Sequence, residues 1–155
     1  MEVELIRATI DDINELHAMQ IKSFKELLEK YQDFGTNPGN ESADKIAARF
    51  HQDFTFYYFI CSGGQKADAV RVVDHKKAGT NKRISPLFIL PDFQGQGIAQ
   101  KAILLCEQMH GSKNWELDTI LQEQKNCHLY EKLGYQKTGR TKVINDKLTL
   151  IFYEK

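Results

Sequence analysis

Gln94-Gly95-Gln96-Gly97-Ile98-Ala99 is the segment whose residue types and spacing most readily do chemistry. It follows an apolar run and opens a helical pattern. Small residues at a strand-to-helix turn let the backbone approach a ligand closely. The first N–H groups of a helix point out of its end, where the macrodipole favours an anion. Such a turn is a ready pyrophosphate cradle, or a tight connection that binds nothing; spacing alone leaves both open. A P-loop requires G-x-x-x-x-G-K-[ST], but Gly97 is followed by Ile98 with no Lys-Ser or Lys-Thr. A dinucleotide fingerprint requires G-x-G-x-x-G and an acidic residue about 20 positions on. Gly95, Gly97 and Asp118 fit that pattern, but its third glycine position holds Gln100. Extended segments also precede the turn, whereas a dinucleotide fold usually begins with it. The histidines (His17, His51, His75, His110, His128) show no ligand spacing, so no metal is expected.

The elements that position this turn follow from periodicity. Val3 to Ala8 reads as a first strand. Thr9 is a good N-cap, and Ile13, Leu16, Phe24, Leu27, Leu28 and Tyr31 share one helical face, with a break expected near Lys22 or Ser23. A loop from Phe34 to Asn40 leads to Ser42, which caps a second helix carrying Ile46, Ala47 and Phe50. Extended segments are expected from Phe54 to Cys61, Ala69 to Val73 and Ile84 to Leu90. Turns at Ser62-Gly63-Gly64 and from Lys76 to Asn81 make them a meander. The Ile84–Leu90 segment is apolar almost throughout, as in a strand covered on both faces. After the glycine turn, a helix presents Ile98, Ala102, Leu105 and Met109 on one stripe and stops at Gly111. A strand from Trp115 to Ile120, a short helix from Asn126 to Leu133 and closing strands from Tyr135 to Arg140 and Lys147 to Tyr153 complete the order. The unit from Ile84 to Ile120 implies a parallel pair with a right-handed crossover.

Composition bounds the rest. The 155 residues are 41% hydrophobic and 27% charged, which fits one globular domain spanning residues 1–155. Lys plus Arg and Asp plus Glu are both 21, and the resulting zero net charge argues against a nucleic-acid partner. Cys61, Cys106 and Cys127 are too widely spaced for a C-x-x-C pair and suit small apolar thiols in a reducing compartment. Glu2-Val3-Glu4 does not open a signal peptide. No apolar run reaches the roughly 20 residues of a spanning helix. A cytoplasmic protein with no membrane association is expected, with a homodimer as the base-rate oligomer.

The segment Gln94 to Ala99 resembles the A motif of the GNAT N-acetyltransferase superfamily, [QR]-x-x-G-x-[GA], matched by Gln94, Gly97 and Ala99. Leu129-Tyr130-Glu131-Lys132-Leu133-Gly134-Tyr135 is similar to the family's L-Y-x-K-x-G-[FY] segment. The two lie in the family's order with one strand between them. The resemblance covers Ile84 to Arg140, while the first half matches in element order only. It implies an α/β fold: a mixed, mostly antiparallel sheet with a splayed central parallel pair and helices on both faces. It further implies that acetyl-CoA enters the splay. Its pyrophosphate would sit on the N–H groups of Gln94, Gly95, Gln96, Gly97, Ile98 and Ala99. Its pantetheine would pair with the backbone of Phe88, Ile89 and Leu90 like an added strand.

Acetyl transfer from a thioester to an amine needs a neutral amine, a polarised carbonyl and a proton for the leaving thiolate. Tyr130 suits the last task, because a phenol stays protonated at neutral pH and can donate to a developing thiolate. In the family a tyrosine here is the usual general acid; otherwise its ring simply packs. Asn126, one helical turn before Tyr130, would hold the pantetheine or cap the helix. Many family members carry a CoA-binding Asn seven residues before the tyrosine, where this chain has Glu123. The base is undetermined, with Glu123, Asp74, His75 and His128 as candidates by type. The expected activity is acetyl transfer from acetyl-CoA to a primary amine, on a small molecule or a peptide, by direct attack in a ternary complex. The rival is a non-catalytic CoA-binding or regulatory module on the same fold.

Overall fold

The computed structural model describes residues 2–155, with Phe88 described through its backbone alone. The chain runs β1 (Val3–Arg7), α1 (Ile13–Tyr31), α2 (Ala43–Phe50), β2 (Thr55–Ser62), β3 (Gln65–Val73), β4 (Lys82–Ile89), α3 (Ile98–His110), β5 (Trp115–Ile120), α4 (Gln124–Lys132), β6 (Gln136–Val143) and β7 (Thr149–Glu154). The strands form one sheet in the order β1-β2-β3-β4-β5-β7-β6. All pairs are antiparallel except β4 with β5. The expected meander is present, and its last member, β4, is the central strand.

Strand alternation divides the core into two layers. Tyr58 and Ile60 of β2 join Val70, Val72, Ile98, Ala102, Ile103, Cys106, Trp115 and Tyr130 on the face covered by α3 and α4. Tyr57, Phe59 and Cys61 of the same strand join Ala69, Leu16 and Ile46 on the face covered by α1 and α2. Helices therefore flank both faces of the mixed sheet.

Four expectations are corrected. Helix α1 runs unbroken through Lys22 and Ser23. The Ser23 hydroxyl bonds the Asp68 carboxyl across the fold, so it does not compete for the helix backbone. Strand β3 begins at Gln65, four residues before Ala69. Gly63 and Gly64, at φ 59° and 81°, close a two-residue hairpin that pairs Ser62 with Gln65. The buried stripe of α3 is Ile98, Ala102, Ile103 and Cys106, whereas Met109 is 53% exposed. It follows the four-residue spacing from Ile98, which carries Met109 round to solvent. Finally, β4 is not covered on both faces: Ile84 is buried, but Leu87 and Ile89 are half-exposed. No helix among the described residues is long and apolar enough to cross a membrane.

Candidate functional site

Strands β4 and β5 are parallel partners for only two residue pairs, Lys82 with Trp115 and Arg83 with Glu116. Beyond Arg83 they part, and β5 keeps its antiparallel bonds to β7 as far as Ile120. The β4 edge that faces β5 therefore carries backbone groups with no strand opposite. Leu90 donates its N–H to the Ala67 carbonyl on β3 at 2.9 Å. Since backbone groups alternate along a strand, Ile89 turns its own toward the splay, while Phe88 and Leu90 turn theirs toward β3. Of the three residues expected to pair with an added strand, Ile89 has the right direction, and Leu87 shares it. The Leu90 N–H is committed elsewhere. Reading the apolar run without its register could not separate these cases.

At the end of β4, Pro91–Phe93 form a single 3-10 turn and Gln94 returns to extended backbone. Gly95 and Gly97 take φ of 78° and 72°, the left-handed region that side chains avoid. A Cβ at either would meet nothing within 4 Å. Glycine is thus required by the backbone path, and the surface beside it is open. Residues 95–99 donate no backbone N–H bond among the described residues, as expected of a helix start. The buried Ile98 pins the first turn of α3 against the core, while Gln94, Gly95, Gln96 and Gly97 are exposed and Ala99 is half-buried. Gln94 Nε2 donates to the Ile89 carbonyl at 3.1 Å, and Gln96 Nε2 to the Asp92 carbonyl at 3.4 Å. Both glutamine side chains fold back and brace the loop, so what they leave presented outward is backbone N–H. That arrangement suits a phosphate group.

Tyr130 lies on α4, buried with its ring edge-on to Tyr135 at 6.0 Å and tilted against Tyr153 at 6.2 Å. Its hydroxyl has no hydrogen-bond partner among the described residues. Burial, then the negative charge of Asp118 on β5, pushes the phenol well above its ordinary range, so it is a hydrogen-bond donor throughout neutral pH. Asn126 is not the N-cap of α4. The helix begins at Gln124 after Glu123, so Asn126 sits half-buried inside the first turn, one turn before Tyr130.

The candidate bases separate cleanly. Asp74 contacts His110 at the C-terminal end of α3, and His75 stacks on Phe54 at 4.3 Å. Asp74 and His110 thus lie at the opposite end of a 13-residue helix from the glycine turn, about 20 Å away. His128 is exposed, and Cys127 is buried with its thiol toward the Ile120 and Leu121 carbonyls. Glu123 alone stands at the α4 entrance. The Tyr31 hydroxyl donates to it, and Lys30 Nζ lies 2.9 Å away. Burial works to raise its carboxyl, but these two bonds outweigh that and hold it below its usual range. The clamp ties the end of α1 to the start of α4. Asn145 Nδ2 adds a bond to the Tyr31 carbonyl at 3.0 Å.

Two groups beside the splay escaped the sequence reading. Arg83, the last paired residue of β4, spans the point where the strands part, bonding Glu116 and Asp118 of β5. Asp68, paired in register with Ile89, is fully buried under α1 and bonded by Ser23, with Oδ1 unpartnered. Burial pushes its carboxyl up to about 8. The signal was two charges, Asp68 and Arg71, inside an otherwise apolar stretch from Ala67 to Val73.

A family model described as an acetyltransferase (GNAT) domain matches residues 53–137, more than half of the chain. The solved spermidine N-acetyltransferase from Vibrio cholerae, in complex with CoA and spermine, superposes with a TM-score of 0.76 at 16% identity, covering 97% of this chain and 93% of that one. The Salmonella typhimurium acetyl transferase that modifies the N-terminal serine of ribosomal protein L7/L12 gives 0.73 at 15% identity, covering 97% and 92%. The microcin C7 self-immunity acetyltransferase MccE, solved with acetyl-CoA and AMP, gives 0.72 at 17% identity, covering 99% and 92%. A search of curated protein sequences finds no match. The mixed sheet, the splayed pair and the glycine turn agree with the matched family model: this chain belongs to the GNAT acetyltransferase family, whose acyl donor is acetyl-CoA.

Proposed function

We propose that this protein transfers an acetyl group from acetyl-CoA to a primary amine, and that residues 1–155 act as one catalytic domain. The observation that carries the reading is the early parting of β4 from β5, with the outward N–H groups of the glycine turn at its wide end and Tyr130 beside it. In this reading the N–H groups of residues 95–99 hold the pyrophosphate, and Asn126 reaches the pantetheine. The β4 edge at Ile89 and Leu87 receives the pantetheine amides, with Gln94 yielding or sharing the Ile89 carbonyl.

The amine nitrogen attacks the thioester carbon directly, and the C–S bond breaks. The departing thiolate takes the Tyr130 hydroxyl proton, and the surplus amine proton leaves through water toward a carboxylate. The raised phenol proton affinity keeps the donor loaded at rest but makes full transfer uphill, so the first contribution of Tyr130 is a hydrogen bond to the developing thiolate. Cys127 is turned to backbone carbonyls, which favours direct attack over a covalent intermediate on that thiol.

The test is calorimetric titration with acetyl-CoA and, in parallel, NAD, followed by a panel of amines assayed for released CoA thiol. Saturable binding of acetyl-CoA alone, with turnover on an amine, supports the reading. Binding without turnover on any amine favours the non-catalytic module. No binding by folded protein removes both.

A further inference from the structure

Arg71 has no part in the reading above. It lies on β3 between Val70 and Val72, which turn toward α3. Its own side chain therefore turns to the α1 and α2 face, alongside its register partner Tyr57. On the other side of β3, Val70 pairs with Leu87 and Val72 with Ile84, so Ser85 and Pro86 together stand opposite Arg71 as a bulge in β4. With pyrophosphate on residues 95–99 and pantetheine along Ile89 and Leu87, the next stretch of β4 toward the thioester is this bulge. Arg71 is thus adjacent to where an acceptor would be held.

Its electrostatic position is unusual. The side chain is half-buried, with Nε fully enclosed and unpartnered. The guanidinium makes no hydrogen bond or ion pair among the described residues. The nearby carboxylates are taken. Glu41 receives both terminal nitrogens of Arg49, at 3.0 and 2.8 Å, and Glu116 and Asp118 receive Arg83. Burial, followed by the charge of Arg49, lowers the Arg71 pKa to about 10, with Arg83 acting the same way. That still leaves it cationic at neutral pH. A lysine could shed its charge in such a place; an arginine does not. Tyr57 and Glu41 act the other way on the Arg71 pKa without bonding it. A half-buried cation with no ion pair among the described residues, flanked by two further arginines, fits an anionic ligand, and its planar fork matches a carboxylate or a phosphate.

We infer that the acceptor amine carries an anionic group, a carboxylate or a phosphate, that docks on Arg71 while its amine faces the thioester. This rests on the acetyl-transfer reading and narrows its substrate class; it disfavours purely cationic acceptors.

The first experiment compares matched acceptors on the wild-type protein with acetyl-CoA: amino acids against their carboxamides, and aminoalkyl phosphates against the corresponding amino alcohols. The anionic member of at least one pair is expected to have kcat/KM about tenfold or more above its neutral partner. The arm in which this occurs identifies the anion. In Arg71→Gln that ratio should collapse toward unity, through KM more than kcat. Equal use of anionic and neutral partners by the wild type overturns the inference, as does an unchanged ratio in Arg71→Gln.

The second experiment needs no turnover. At fixed ionic strength, acetate or inorganic phosphate should raise the thermal midpoint of the wild type above a chloride control, and Arg71→Gln should lose that rise. Arg71→Met, which removes the charge and keeps the volume, should raise the midpoint without added anion. A fall would mean that the fold already compensates the guanidinium, and would overturn the inference. Anion stabilisation with no acetyl-CoA binding would instead strike at the acetyl-transfer reading while leaving the anion site standing.

Discussion

The two ends of the β4–β5 pair are built in opposite ways. At the closed end nearly every group is matched. Lys82 N–H bonds the Asn114 carbonyl at 2.8 Å, and Trp115 and Lys155 exchange backbone bonds at 3.1 and 2.9 Å. The fully buried Trp115 gives its indole N–H to the Gly111 carbonyl at 2.6 Å. Asp74 and the Tyr58 hydroxyl flank the two ring nitrogens of His110, at 2.8 and 2.7 Å. At the open end the strand edge is half-exposed, the loop presents outward N–H groups, and the Tyr130 hydroxyl has no partner among the described residues. The difference separates the end that supplies stability from the end to which the proposed function assigns the chemistry. The closed end fixes the angle at which the strands part, and that rigidity lets the open end keep donors available for a ligand.

Substitutions at the two ends should therefore fail differently. Trp115→Ala should have the largest effect, costing about 3–5 kcal/mol of stability, because it empties a large enclosed site and orphans the Gly111 carbonyl. Chemical denaturation measures this, and a loss below about 1 kcal/mol would break the comparison. Tyr130→Phe should lower kcat by about a hundredfold or more while moving the acetyl-CoA dissociation constant by no more than about threefold. Steady-state kinetics on an accepted amine, with calorimetry, separates the two quantities. Gly97→Val should weaken acetyl-CoA binding by about tenfold or more, since valine resists φ of 72° and would stand on the loop's ligand surface. Unchanged affinity would remove the turn from the site.

The smallest effect is a pH slope. Asp68 keeps its proton in the folded state up to about 8, whereas the unfolded carboxyl loses it near its ordinary value of 3.8. Between those values the folded state binds more protons, so this group makes stability fall as pH rises. Asp68→Asn should remove that slope, so its stability relative to the wild type should climb from pH 4 to pH 8. Parallel denaturation curves for the two proteins across that window would show that Asp68 is already ionised.

Much of this was legible in the residues. The hydrophobic periods gave the elements in order, with most boundaries a few residues off. The glycines at residues 95 and 97 marked a strand-to-helix turn open to close approach, while their left-handed backbone is a property of the folded loop. The register was not legible. An apolar run such as Ile84 to Leu90 looks alike whether its edge is paired or open, because the difference lies in where its neighbour β5 goes. The same blindness hid the direction of the Leu90 N–H and the unbroken course of α1, where Ser23 bonds a residue 45 positions away. Arg71 and Asp68 were also missed, since charges inside an apolar stretch are visible in the residues, but what encloses them is set by the assembled layers.

The most direct measurement of the central claim is amide hydrogen exchange with and without saturating acetyl-CoA. The account predicts that protection rises in residues 94–99 and along the β4 edge around Leu87 and Ile89, while the amides of Lys82 and Trp115 at the closed end stay as they were. Protection confined to the closed end, or none at all at the glycine turn when acetyl-CoA is bound, would contradict it.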